Sequence, residues 1–255
     1  MIVRQINTTA GSEVMRNIET RTILKLYETC IIPSFLNNAE SWTLLTSEEN
    51  ELDKLGIRIL KRLFNLPEKT PSPAVIHSFG TLYITQQIDQ MKFMYLHTIL
   101  QRENDHWTKK MIYHLRDLNL GWSKNIVKKL EEYNLEQDWE KIKSLTKQSW
   151  KSSVKIAVQN KNKQKLIDHC KEQTPQGDKI KTKTAYIYDK LKNSTYTLEP
   201  LSELISSNKI ETKTILLSRC GMLMCGINFK ATTPSVCMER QVVDNEDHRL
   251  NHCRK

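Results

Sequence analysis

Turn-forming residues are scarce in this chain: seven Gly and seven Pro in 255 residues, about 5% where average usage gives roughly 12%. An all-β or doubly wound fold needs many tight connections, so the shortage favours long helices. Hydrophobic residues make up 38%, below the roughly 45–50% of an average globular chain. That deficit fits thin helical layers better than one thick globule. The length allows one large domain or two small ones.

Charge sharpens the picture. Lys and Arg total 39 against 29 Asp and Glu, a net +10, which suits contact with polyanions. The excess is local: residues 141–192 hold fourteen Lys, no Arg and only four acids, Asp168, Glu172, Asp178 and Asp189. No apolar run reaches membrane-spanning length, and the opening residues lack a signal-peptide core, so an intracellular protein, nuclear or cytoplasmic, is expected. Lys161, Lys163 and Lys165 form a loose basic cluster of the nuclear-address type. Six Cys in so long a chain are too few for a disulfide scaffold, yet Cys220, Cys225, Cys237 and Cys253 crowd the end.

Apolar spacing predicts helices over Thr22–Phe35, ending near Pro33, and over residues 46–66 with Leu52, Leu55, Ile59, Leu63 and Leu66 as the stripe. Thr46 and Glu49 read as a capping box, and Pro67, Pro71 and Pro73 as the stop. Lys54, Arg58, Lys61 and Arg62 share much of the opposite side, either as a solvated face or as a phosphate grip. Further helices are expected over Thr85–Gln101, Ser123–Tyr133, Glu136–Ile156 and Ser202–Leu217, with Trp139 and Trp150 as buried anchors. The segment from Asn160 to Leu191 reads as a helix, a loop at residues 174–177 and another helix.

Common catalytic signatures are missing. The chain has no nucleophile elbow, no phosphate-binding Gly-rich loop, no dinucleotide fingerprint, no zinc-protease helix and no Asp-Asp pair for two-metal chemistry. Glu211-Thr212-Lys213 matches only the tail of a nuclease signature. The one arrangement with metal-ligand rhythm is Cys237, His248 and Cys253. Tetrahedral zinc wants four Cys or His donors, and the second position of this knuckle holds Arg240, whose guanidinium does not ligate. Cys225 or Cys220 swinging in, or His252 competing with Cys253, are the remaining sources of a fourth donor, so less than one equivalent of zinc is expected and no other cofactor is implied.

The order of these features resembles the region after the catalytic palm of non-LTR (LINE-type) retrotransposon reverse transcriptases. The stretch Leu26-Tyr27 through Glu40-Ser41-Trp42 is similar to that family's Leu-Leu-Tyr-Gly-x-Glu-x-Trp signature, with Asn37 and Asn38 standing for Tyr and Gly. A helix like Leu52–Leu66, a Thr70-Pro71 turn and His77-Ser78-Phe79-Gly80 follow in the family's order. Arg219-Cys220-Gly221-Met222-Leu223 and Asn228-Phe229-Lys230 resemble the lead-in to its Cys-Cys-His-Cys knuckle. The resemblance implies a mainly α fold: a flexible N-terminus (1–20), a thumb-like helical domain (21–116), a lysine-rich helical region (117–217) and a small irregular, degenerate knuckle (218–255). The polymerase turn would lie before residue 1, so no enzymatic activity is expected. Knuckle ligands carried over would be Cys237, His248 and Cys253.

The leading expectation is a non-catalytic remnant that binds RNA or DNA through phosphates. Lysines without interleaved arginines grip phosphates as point charges and do not read bases. Lys54, Arg58, Lys61, Arg62, Lys161, Lys163, Lys165, Lys179, Lys181 and Lys183 are the candidate contacts. Two alternatives stand beside it: a helical protein-interaction scaffold, and a drifted, truncated reading frame without function.

Overall fold

The computed structural model describes residues 18–174, 177–193, 200–201, 204, 207–220 and 222. They form a mainly helical fold. Helix α1 (Thr20–Leu26) runs through a π-helical turn (Tyr27–Ile31) into the short α2 (Ile32–Phe35). The single helix expected here is thus interrupted, and Pro33 explains why. Its ring has no N–H and collides with the carbonyl four residues back in a regular helix. A π turn, in which the Ile32 N–H bonds Tyr27 O, carries the chain past that point.

Helix α3 (Thr46–Leu63) begins one residue earlier than the expected capping box requires. Leu45 is the cap residue and has no acceptor, so only half a box forms: Glu48, not Glu49, takes the Leu45 N–H at 2.7 Å. The prolines after it do stop α3, but Pro71 and Pro73 also start α4 (Ser72–Phe79), where the sequence reading placed only a turn. A proline in a first turn forfeits no hydrogen bond. Gly80 closes α4 at φ 59°, the left-handed position that suits glycine.

The expected helix near 85–101 is α5 (Ile84–Leu100). Next comes α6 (Trp107–Asp117), which the apolar pattern did not foretell, and α7 (Gly121–Glu132). The stretch expected as one helix from residue 136 breaks at Leu145 into α8 (Trp139–Ser144) and α9 (Lys147–Cys170), the latter 24 residues long and capped by the Thr146 hydroxyl. After α9 the chain makes a two-stranded antiparallel hairpin, β1 (Lys171–Thr174) with β2 (Gly177–Ile180), where a loop between helices was expected. Helices α10 (Ala185–Asn193) and α11 (Lys209–Arg219) complete the described fold. The latter docks on α1 through the paired hydroxyls of Thr20 and Thr212 and a Thr20 N–H bond to Ser207 O at 2.9 Å.

Two apolar clusters form the core. The first joins α1 to α4 and the start of α5 with Leu166, Cys170, Ile187, Leu191, Leu204 and Leu216 from much later in the chain. The second holds Phe93 to Leu100, Ile112, Ile126, Leu130, Trp139, Trp150, Val154 and Val158. Both expected anchors, Trp139 and Trp150, are buried, and the Trp150 indole donates to Phe93 O at 2.9 Å.

Helices α5 and α9 lie antiparallel and thread both clusters, as the pairs Tyr83–His169 and His97–Trp150 show. The buried row of α9 is Trp150, Val154, Val158, Asn162, Leu166 and Cys170. Steps of four residues rotate by about 40° each, so this row winds around the helix and faces one cluster at its start and the other at its end.

A buried ionic group ties α3, α5 and α7 together. Lys129 meets Glu49 at 2.8 Å and Asp89 at 3.4 Å, while Asp89 accepts from the Tyr133 hydroxyl at 2.9 Å. Lys92, only 1% exposed, donates to Asn125 Oδ1 at 3.3 Å. Burial drives the Lys92 ammonium below its ordinary range and the Asp89 carboxyl above its own. No helix among the described residues is long and apolar enough to cross a membrane.

Candidate nucleic-acid interface

Helix α9 carries six lysines before its single acid, Asp168, which is itself engaged by Gln164 at 2.8 Å. Lys147, Lys151 and Lys155 step by four residues beside the buried row, so they share a patch about 12 Å long and spanning roughly 80° of the helix. All three are exposed. No hydrogen bond or ion pair joins them to another described residue. Lys147 also occupies the first turn, where the helix macrodipole disfavours a cation and favours an anion, so a phosphate there would relieve the mismatch.

The trio Lys161, Lys163 and Lys165 does not act together. Residues two apart point about 200° away from each other on a helix, so Lys163 faces away from its neighbours. Lys161, although exposed, is engaged, donating to Glu132 O at 3.3 Å and lying 5.9 Å from the Tyr133 ring centre. Lys165 is a structural cation: it binds Asp53 at 2.5 Å and sits 4.4 Å from the centre of the Tyr83 ring. Asp53 in turn accepts from the backbone N–H and the hydroxyl of Thr85, each at 2.9 Å, at the start of α5. Tyr83 continues the chain of contacts with a 2.8 Å hydrogen bond to His169 Nδ1. Burial, with Lys165 and Lys181 nearby, pushes the His169 imidazole below its usual range. Lys163, half-buried, has no hydrogen-bonding or ionic partner among the described residues.

On α3, Lys54, Arg58, Lys61 and Arg62 do share a face, but two are occupied. Lys54 pairs with Glu51 at 2.7 Å. Lys61 donates to Glu68 O at 2.7 Å, and burial lowers its pKa. Arg58 and Arg62, one helical turn apart, are exposed and make no hydrogen bond or ion pair with described residues. In the hairpin, Lys179 lies opposite Glu172 in the β register. Lys181 donates to His169 O at 3.1 Å, and Lys183 is exposed.

On α3, on α9 and in the hairpin segment to Lys183, the described cations left available are therefore Lys147, Lys151, Lys155, Lys163, Arg58, Arg62 and Lys183. The first three escaped selection by sequence because local lysine density favoured the 161–165 trio. Their i, i+4 spacing was the signal.

The knuckle residues Cys237, Arg240, His248 and Cys253, with Cys225, lie outside the described residues. Among the described ones, no group of three or more His, Cys, Asp or Glu could hold a metal ion, and Cys220 is buried at the end of α11. Within residues 37–42, Asn38 adopts φ 58° and ψ 18°, the left-handed region that glycine most readily occupies. Asn is among the few other residues that tolerate it. Comparison of the chain with protein families, curated proteins and solved structures finds no match.

Proposed function

We propose that this chain is a non-catalytic, sequence-tolerant nucleic-acid-binding module that holds RNA or DNA phosphates with Lys147, Lys151 and Lys155, assisted by Lys163. The observation that carries this reading is three exposed lysines in one patch of α9 with no acid to neutralise them. A net charge of +10 supports it by drawing polyanions in from a distance. The order of motifs similar to LINE-type reverse transcriptases supports descent from such a retrotransposon protein.

The test is binding of random-sequence oligomers to the full chain across a salt series. Each phosphate neutralised adds about 0.9 to the slope of log affinity against log salt on duplex DNA, and about 0.7 on single strands. Replacing Lys147, Lys151 and Lys155 by Gln lowers that slope by roughly 2 to 3. Replacing Lys161 and Lys165 by Gln leaves it unchanged. No binding at low salt, or a triple variant with the parental slope, refutes the reading.

One surface favours a protein partner as a second reading. Trp107, 67% exposed, and Met111, 51% exposed, stand one turn apart on α6 with Leu118 exposed just past its end, and exposed large apolar side chains of this kind mark interaction sites. A pulldown that survives nuclease treatment but fails with Trp107→Ala supports that alternative.

A further inference from the structure

Tyr27 and Glu28 of the π turn, α2 and the middle of α5 line an open cavity of about 660 Å³, a size suited to a small organic ligand. Its apolar wall includes Ile32, Leu36, Met91 and Met94, and its charged groups are the carboxylates of Glu28 and Glu40. No Lys, Arg or His lines it, although the chain as a whole is strongly basic. Neither carboxylate has a hydrogen-bonding or ionic partner among the described residues. Loss of water around Glu28 raises its pKa with no nearby cation to offset the effect. The lining also includes Thr81, 4% exposed, whose hydroxyl has no hydrogen-bond partner.

The hollow thus sets two water-reached carboxylates, which no cation among the described residues neutralises, beside a mostly apolar wall. Binding sites have this composition: an apolar body of wall with a few polar groups that orient the ligand. Two carboxylates do not by themselves provide the six or more oxygens of a calcium or magnesium site. Methionine thioethers, flexible and polarizable, fit flat or irregular apolar groups. The wall itself depends on the π turn, a distortion that recurs at functional sites.

We infer that this cavity binds a small organic cation, its ammonium group facing Glu28 and Glu40 and its apolar body lying against Leu36, Met91 and Met94. The site is separate from the lysine patch, and its occupant has the opposite charge to a phosphate.

The experiment uses the full chain labelled with ¹³C in its methionine methyl groups, titrated with three probes of matched shape: naphthylmethylammonium, naphthylmethanol and naphthylacetate. The ammonium probe shifts the Met91 and Met94 methyl resonances, with an affinity about tenfold or more above the alcohol, and the acetate binds more weakly than both. Replacing Glu28 and Glu40 by Gln abolishes the preference for the cation. Gln90→Trp, which fills the cavity from its lining, abolishes the shifts at both methionines. Absence of shifts at Met91 and Met94, equal affinity for ammonium and acetate, or a preference that survives in the Glu28, Glu40 double variant overturns the inference.

Discussion

The Asp53 carboxylate takes three donors at once, two from Thr85 and one from Lys165. Asp53→Ala leaves a helix-start N–H, a hydroxyl and a part-buried ammonium without their acceptor. Breaking a buried pair from one side costs about 3–5 kcal/mol. Because the Lys165 side chain keeps 29% exposure, the loss falls near the lower end, about 3 kcal/mol, and urea unfolding measures it. His77 gives stability a pH dependence. Burial, reinforced by Arg219 and Lys190, pushes its imidazole down to about 4. The unfolded chain takes up a proton near pH 6.5 that the native state refuses. The contribution is thus full above pH 6.5 and disappears progressively as pH falls toward 4, amounting to about 3 kcal/mol. His77→Gln flattens that part of the stability profile, as unfolding midpoints measured from pH 7 to pH 4 will report.

At the level of elements, α3 and α5 approach so closely at Gly56 that an added Cβ would stand 2.7 Å from Ile84 Cγ1 and Cδ1. Alanine gains roughly 0.5–1 kcal/mol of helix propensity over glycine, but overpacking costs about 1–3 kcal/mol. Gly56→Ala therefore destabilises the chain by about 1 kcal/mol, a shift visible in thermal unfolding. Helices α3 and α5 were legible because their apolar positions repeat at the helical period, whereas α9, read as parts of two segments ending at Ile156 and starting at Asn160, runs unbroken across residues 156–160. Less was legible at their ends. Asn38, Asn65, Asn119 and Asn134 all take positive φ, so asparagine supplies left-handed turns in a chain poor in glycine, and a count of Gly and Pro alone understates the number of breaks. Helix α6 was missed because Trp107 and Met111, its most visible apolar residues, face solvent. The proposed interface was half legible: a lysine-rich stretch marks itself in the sequence, but nothing there distinguishes Lys165, held by Asp53, from Lys155, which makes no hydrogen bond or ion pair with described residues. That difference arises only when α9 packs against α3 and α5.

For the whole molecule, the second cluster draws its members from one continuous stretch, Phe93 to Val158, whereas the first needs Ile23 and Cys220 together. A fragment of residues 82–160 is expected to fold alone, giving helical circular dichroism with a cooperative thermal transition, while residues 18–92 alone are expected to stay unfolded. The unequal layout also sets an order of events during synthesis. Residues 93–158 can condense as soon as they leave the ribosome. The earlier helices, already made, must wait with Phe64, Phe79 and Ile88 unburied until the chain has been extended to Cys220. At roughly 5–20 residues per second that wait lasts many seconds, long enough for exposed apolar helices to find one another on neighbouring chains. The newborn first cluster is consequently the part of the described fold expected to depend most on a chaperone, and its completion waits on the segment that ends at Cys220.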